Sequence, residues 1–165
     1  MPLVDYEIEE AIQNGQIRIL PIPTDIRGTD IDLHIGSHWL LPIPSTTPIE
    51  LCEKPQYKEL NADIFLLRAG ECVLVYTLEI IHLEATIIGN LVDKSSVARN
   101  FLSTFNGGSC RIKGGFGGRI LLELKNNGVN TLILRTGMAC TAIEFEVTQQ
   151  PLHPYNGMYQ GQGVS

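Results

Sequence analysis

Short apolar runs separated by turn residues dominate the chain. They span residues 17–22, 31–35, 39–43, 72–77, 86–91, 120–124, 131–134 and 141–147. Runs of this length, punctuated by glycine, proline and asparagine, are typical of β-strands. Many short strands with little helical periodicity predict a mostly β domain, either a distorted barrel or a double-sheet jelly roll, with Trp39 and Phe145 in its core.

Helical periodicity is confined to two short segments. Near the N-terminus, Ile8, Ala11 and Ile12 fall on one face of a helix that Asp5 is expected to cap. Glutamates in the first turns favour the positive end of that helix. A second short helix is predicted at residues 97–102. The fold is therefore expected to contain one or two short helices.

The chain divides into one domain and a tail. Residues 1–148 are predicted to form a single β domain, in which residues 45–58, rich in proline, threonine and glutamate, form a loop or hairpin. Residues 149–165 are rich in glycine, glutamine and tyrosine and offer little that could pack internally. This tail is expected to be either disordered or an arm that becomes ordered on a ligand.

Composition excludes several classes of protein. With 165 residues, 44% hydrophobic and 18% charged, the chain has the composition of one globular domain. A formal net charge of -6 argues against a nucleic-acid surface, which needs an excess of Lys and Arg. No apolar run approaches the roughly 18 residues of a membrane span, and no signal-peptide pattern is visible. We therefore expect a cytoplasmic protein that binds neither nucleic acid nor membrane.

The four cysteines do not form a zinc motif. They are scattered along the chain without the close pair that zinc ligands usually make, so buried or half-buried free thiols are expected. His82-Leu83-Glu84 matches the first half of the zinc deaminase motif, but no Pro-Cys-x-x-Cys follows. His82 is therefore predicted to be a strand residue, and the sequence predicts no zinc and no metal site.

Chemistry-bearing residues concentrate between residues 94 and 123. Residues 94–99 (Lys-Ser-Ser-Val-Ala-Arg) form a compact anion-binding group, and residues 114–118 are a glycine-rich segment that lets backbone approach a ligand closely. Glu123 interrupts an apolar run, and in a low-dielectric pocket its pKa is free to rise. Taken alone, however, the serines favour a cap or turn, and alternation with Leu122 and Leu124 favours a solvent-facing Glu123.

The order of these motifs resembles one family, the dCTP deaminases, which share a fold with the trimeric dUTPases. The resemblance covers nearly the whole chain. Residues 3–19 resemble the family's opening helix, 29–36 its first strand motif and 94–99 its substrate-binding serine-arginine motif. Residues 154–157 and 159–162 resemble the tail that closes over the nucleotide.

The resemblance implies roles for individual residues. Glu123 would be the catalytic acid and base, Arg99 would fix Glu123 and the attacked water, and Ser95 would help to hold that water. The other residues that the resemblance assigns to nucleotide binding are Lys94, Ser96, Lys113, Leu121, Leu122, Tyr155, Met158 and Gln162. It further implies a homotrimer with sites between subunits, and Mg²⁺ that arrives with the nucleotide's triphosphate.

Three departures weaken the match at the sugar and phosphates. Lys94 stands where relatives usually have arginine, which keeps the charge but loses the bidentate fork. Lys113 replaces an aspartate that contacts the sugar 3′-hydroxyl and, in dUTPases, helps to activate the hydrolytic water. Met158 replaces a phosphate-binding lysine. From Asn100 to Leu122 the chain has no Asp or Glu that could take the aspartate's place.

The sequence therefore predicts an enzyme of deoxynucleotide metabolism. The favoured reaction is metal-independent deamination of dCTP to dUTP and ammonia. Two alternatives remain open: a dUTPase or bifunctional dCTP deaminase and dUTP diphosphatase, and a catalytically silent nucleotide-binding trimer.

Overall fold

Antiparallel strands form most of the regular secondary structure in the computed structural model of the protein, which describes residues 1–26, 28–51, 53, 55–104 and 110–164. The helices of the described chain are α1 (Asp5–Gln13) and α2 (Ser95–Ala98). Its strands are β1 (Ile17–Leu20), β2 (Asp30–Pro42), β3 (Tyr57–Asn61), β4 (Ile64–Leu67), β5 (Cys72–Leu83), β6 (Ile87–Asp93), β7 (Leu102–Ser103), β8 (Arg111–Ile112), β9 (Gly117–Asn126), β10 (Leu132–Arg135) and β11 (Ala139–Val147).

The long strand β2 joins the two halves of the main sheet. Its first half pairs with β11, and its second half pairs with β3 and β5. The strand order is β7-β9-β5-β2-β11-β6-β8, with β1 beside β5, β3 beside β2, and β4–β10 as a separate ribbon. This curled, mostly β sheet confirms the predicted fold class.

The core lies on the inner face of the curled sheet. Trp39 and Phe145 are fully buried, as the sequence predicts. The Trp39 ring stacks on Phe65 with 4.7 Å between ring centroids, and its Nε1 donates a hydrogen bond to the Ala62 carbonyl at 2.8 Å. Burying an indole while satisfying its N–H is the usual condition for placing tryptophan in a core.

The structure corrects the predicted bounds of several elements. Helix α1 begins at Asp5 itself, and Val4 is its N-cap residue, whose N–H donates to Glu7 Oε2 at 3.0 Å. Helix α2 lies at Ser95–Ala98 instead of 97–102, because Phe101 adopts a positive φ of 57° and Leu102 already pairs with Asn126.

Two predicted runs join into one strand, and a third run is longer than predicted. The runs at 31–35 and 39–43 belong to one strand, β2, and the run at 72–77 continues to Leu83. In both cases the register shifts where the pairing is interrupted, between Ile35 and Trp39 and between Tyr76 and Ile80. A β-bulge of this kind lets a strand bend and continue, which apolar alternation does not reveal.

His82 lies on β5 opposite Arg18, so the prediction that it is a strand residue is confirmed.

Among the cysteines that the structure describes, Cys140 is buried, but Cys72 and Cys110 are exposed, so the expectation of buried thiols is wrong for those two. Cys52 lies outside the described residues. No described helix has the length and apolarity needed to cross a bilayer.

Asn126 at the end of β9 provides a test of the fold. Its buried amide donates to the carbonyls of Leu67 and Asn130 at 2.9 and 2.8 Å, and its Oδ1 accepts from Gly128 N at 3.0 Å. Because Asn126→Ala leaves buried groups without partners, we expect it to lower the free energy of unfolding by about 3 kcal/mol. The midpoint of thermal unfolding should fall by about 6–12 °C for a chain of this size.

The neighbouring Asn127 offers a matched control. It is exposed and makes a 3.3 Å side-chain hydrogen bond to Ser103 Oγ. Asn127→Ala should change the free energy of unfolding by no more than about 0.5 kcal/mol. Equal effects of the two substitutions would contradict the assignment of Asn126 as a buried connector of strands.

Candidate functional site

Glu123 lies on the outward face of β9. Its neighbours Leu122 and Leu124 pack in the core, with 0% and 1% exposure, so strand alternation points Glu123 the other way. The carboxylate is exposed in the single chain. In one chain alone, the solvent-facing direction that alternation predicts for Glu123 is therefore confirmed.

The main chain of Glu123 connects it to the end of β6. Glu123 N donates to the Thr104 carbonyl at 3.3 Å, and the hydroxyl of the buried Thr104 donates to Asp93 Oδ1. The Cys110 thiol lies close enough to Glu123 for the charge of the carboxylate to affect the pKa of the thiol. Partial burial raises the pKa of Cys110, and the negative charge of Glu123 raises it further.

The serine-arginine segment lies near the same end of β9. Helix α2 is followed by β7, whose Leu102 pairs with Asn126 three residues beyond Glu123. Ser95, Ser96 and Arg99 are all exposed. In the described part of a single chain, no hydrogen bond or ion pair joins the side chain of Ser95 or Arg99 to Glu123.

Lys94 is held by a carboxylate that the sequence analysis did not assign to it. Its Nζ forms an ion pair with Asp32 Oδ1 on β2, and both side chains are partly buried. The predicted phosphate ligand therefore has part of its charge neutralised within the chain. No spacing or periodicity in the sequence indicates this pair, because residues 32 and 94 meet only through the pairing of β2 and β6 with β11.

The C-terminal arm lies against the glycine-rich segment of its own chain. The Tyr155 ring packs on Phe116, with 6.1 Å between centroids, and Tyr155 N donates to the Gly114 carbonyl at 3.1 Å. The Gln160 amide bridges Gly115 O and Gly117 N at 3.1 and 3.2 Å. The arm thus packs on the glycine-rich segment of the same chain.

Further along, the arm pairs with the start of β9. Gly161 N donates to Gly117 O at 2.7 Å, and Arg119 N donates to Gln162 O at 2.9 Å. The side chain of Gln162, a predicted phosphate contact, donates to Arg119 O at 2.9 Å. Met158 is 75% exposed, and Lys113 is also exposed, with its carbonyl accepting from Phe116 N.

The sequence predicts that backbone can approach the glycine-rich segment closely. In the structure, the backbone that does so is that of the C-terminal arm. A Cβ at Gly118, where φ is 147°, would lie 3.0 Å from Gln162 O. At Gly115, where φ is 91°, it would lie 3.2 Å from Tyr155 N. Both conformations are ones that side chains rarely adopt, so glycine is required here by backbone geometry as well as by space.

Between the arm and Thr104, one stretch of the β9 edge has no partner among the described residues. Arg119 N and Glu123 N both donate away from β5, so alternation directs the N–H and C=O of Leu121 to the same side. Among the described residues, no hydrogen bond on that side involves Leu121. The side chain of Leu122 is fully buried, so Leu122 could contact a ligand through its main chain but not through its side chain.

Glu123 lines neither of two cavities that lie among the described residues. One, of about 280 Å³, lies beside α2 and is lined in part by Ser96, Val97 and Met138. The other, of about 200 Å³, is lined in part by Arg18 and His82. The described residues contain no group of three or more His, Cys, Asp or Glu side chains that could hold a metal ion.

Comparisons with known proteins agree on one family. A family model described as dCTP deaminase-like matches residues 3–148. The dCTP deaminase of Shewanella amazonensis is 35% identical over 175 residues, covering 94% of this chain and 89% of that protein. The dUMP-forming dCTP deaminase of Methanosphaerula palustris is 30% identical over 171 residues, covering 98% of this chain and 91% of that protein.

Solved structures agree on the fold. The 2′-deoxycytidine 5′-triphosphate deaminase from Agrobacterium tumefaciens matches 88% of this chain with a TM-score of 0.70 at 19% identity, and this chain spans 48% of that longer one. The dUTPase of phage phi11 of S. aureus matches 88% of this chain with a TM-score of 0.56 at 11% identity, covering 99% of that chain. At these identities, the likeness is one of fold.

The Glu123–Cys110 proximity predicts a change in thiol reactivity. Since the negative charge of Glu123 raises the pKa of Cys110, Glu123→Gln should lower that pKa and enlarge the reactive thiolate fraction. We expect alkylation of Cys110 by iodoacetamide at pH 8 to become a few-fold faster, as measured by peptide mass spectrometry. Cys72 in the same sample is the internal control, and equal acceleration at both cysteines would contradict the proximity.

Proposed function

Because the chain belongs to the dCTP deaminase-like family, we propose that it deaminates dCTP by hydrolysis, yielding dUTP and ammonia. The observation that carries this proposal is the open edge of β9 at Leu121, two residues before Glu123. A main-chain edge that recognises a base and a carboxylate beside it are the two elements that cytosine deamination needs.

Recognition of cytosine would use the main chain of Leu121. Cytosine presents a donor at its exocyclic amine and acceptors at N3 and O2. The N–H and C=O of Leu121 point outward from the sheet edge and offer one donor and one acceptor in fixed positions. A base that pairs there would bring its amine-bearing carbon close to the side chain of Glu123.

Glu123 would supply the proton transfers of the reaction. The ionised carboxylate accepts a proton from water while the water oxygen forms a bond to C4, and it passes that proton to N3. It then takes the proton of the new C4 hydroxyl and gives it to the exocyclic nitrogen, so that the C4–N bond breaks, ammonia leaves and the C4 carbonyl forms. One residue can serve as base and then as acid because the carboxylate returns to its starting state.

The exposure of Glu123 supports a site completed by a second copy of the chain. Half-buried Leu40, Leu74, Tyr76 and Leu121 share the outward face with Glu123. Covering this face with a second copy would remove water from the carboxylate and place it in the low-dielectric setting in which a general acid and base works well. We propose a homotrimer in which Ser95 and Arg99 of one chain reach Glu123 of another.

The phosphates would lie toward the arm and the serine segment. Ser96, Lys113, Tyr155 and Gln162 are available there, and Lys94 contributes a cation shared with Asp32. Magnesium would enter as part of the triphosphate substrate, and the chemistry at the base would proceed through Glu123 without a metal.

The bifunctional alternative stays relevant because similar archaeal proteins are named dUMP-forming. Loss of phosphates in this fold would need a carboxylate near the glycine segment, and residues 110–122 contain none. Lys113, which stands in the place of that aspartate, has an ammonium side chain instead of a carboxylate and would be a poor base. We therefore favour dUTP as the product.

Replacing Glu123 tests the deamination step. Glu123→Gln keeps the shape of the side chain but cannot cycle a proton, so ammonia release from dCTP should fall by about a hundred- to ten-thousandfold. Binding of dCTP, measured by calorimetry, should remain. Glu9→Gln, at an exposed carboxylate on α1, is the matched control. Turnover within a few-fold of the unmodified protein would refute the role of Glu123.

The same variant tests whether sites are shared between chains. Mixing Glu123→Gln with Arg99→Ala protein and allowing subunit exchange should restore part of the activity. Some sites between two different chains then contain both an intact Glu123 and an intact Arg99. No recovery, or a monomeric mass by light scattering, would count against the trimer.

Chromatography of the reaction products tests the choice between dUTP and dUMP. Incubation with dCTP should give dUTP and ammonia without pyrophosphate. Lys113→Ala should raise KM for dCTP more than it lowers kcat, as expected when uniform binding is lost, and Lys58→Ala on β3 should change neither. Primary formation of dUMP and pyrophosphate would refute the choice and make Asp32 and Glu123 the first carboxylates to examine.

A further inference from the structure

The side chain of Arg119 joins the arm to the middle of β5. Its Nε donates to the Gly163 carbonyl at 2.9 Å, and one terminal nitrogen donates to the carbonyls of Thr77, at 2.9 Å, and Leu78. The rigid fork of a guanidinium suits such simultaneous contacts. Arg119 thus bonds to two segments more than 80 residues apart in sequence.

The carbonyls on β5 are available because the strand bulges there. Pairing with β9 shifts between Tyr76 and Ile80, so residues 77–79 lie opposite Ile120 alone. Opposite the bulge, Ile120 N donates a hydrogen bond to the Thr77 hydroxyl at 3.1 Å instead of to a main-chain carbonyl of β5. Arg119 provides donors for two carbonyls within this bulge, those of Thr77 and Leu78.

The remaining hydrogen-bond partner of Arg119 is the Gly163 carbonyl in the arm. Among the described residues, Arg119 forms no ion pair, so carbonyl oxygens stabilise its half-buried charge. In that same part of the chain, no other charged side chain bonds to residues 154–164. The other arm contacts are made by main-chain groups and by the side chains of Tyr155, Gln160 and Gln162.

We propose that Arg119 is a positioning residue that fixes the arm in its closed place beside the open edge of β9. Docking Gly163 on the guanidinium places Gln162 against Arg119 and holds the arm next to Leu121. A closed arm would cover a base bound there. The link to catalysis rests on the proposed function, whereas the docking of the arm does not.

Hydrogen–deuterium exchange of the ligand-free protein tests the docking directly. In Arg119→Met, loss of a charged hydrogen bond should speed exchange of peptides from residues 152–164 by about tenfold or more. In Arg119→Lys, which retains the charge but not the fork, the increase should be smaller. Arg135→Met, at an exposed arginine on β10, should leave the arm unchanged.

A second variant separates positioning from general support of the sheet. Gln160→Ala also loosens the arm, so its effect on arm exchange should not add fully to that of Arg119→Met. Unchanged arm exchange in Arg119→Met, or faster exchange across β5 and β9 in both Arg119 variants, would overturn the proposal in favour of a purely structural arginine.

Kinetics then connect the arm to substrate. Arg119→Lys should raise KM for dCTP by about tenfold and change kcat much less, because an open arm weakens binding of substrate and transition state alike. A faster-exchanging arm with unchanged KM would overturn the link to substrate. If the unmodified protein shows no deamination while the exchange results hold, the proposed function fails and the Arg119 anchor stands.

Discussion

The bulge in β5 at residues 77–79 is the constraint on which the rest of the structure depends. A bulge lets this central strand bend with the curl of the sheet, and each buried polar group that leaves the ladder there needs a new partner. Thr77 supplies one through its hydroxyl, and Arg119 supplies others. The buried carboxylate of Glu79 accepts from His34 N at 3.0 Å and lies 2.6 Å from the His34 ring. Side chains from three strands therefore stabilise one break in the ladder.

Strand β9 combines several tasks because a strand has two faces and two edges. Its inner face contributes Leu122 and Leu124 to the core, and its outer face carries Glu123. One edge pairs with β5, while the other holds the arm at its start and β7 at its end. The candidate site lies in the interval of that second edge left open at Leu121. A rigid, fully packed strand is a suitable support for a reacting carboxylate, since its backbone cannot move independently of the core.

The structure changes the predicted charge environment of Lys94 more than it changes the predicted position of that residue. Lys94 was expected to serve phosphate alone, but it is paired with Asp32. Burial raises the pKa of the nearby Cys140 to about 12, and the charges of Glu79, Asp32 and Asp93 contribute. Lys94 is thus a cation with several carboxylates nearby. Charges that meet through strand pairing have no signature in sequence spacing, so their mutual neutralisation could not be predicted.

The sequence by itself determined the mostly β fold, the core positions of Trp39 and Phe145, and the outward direction that alternation gives Glu123. Each follows from local periodicity, which depends on neighbouring residues alone. Tertiary structure decided where β2 and β5 bulge, which carbonyls Arg119 reaches, and that the arm occupies the edge beside Leu121. Those features depend on which backbone groups lose their ladder partners, and that is set by contacts between segments far apart in the chain.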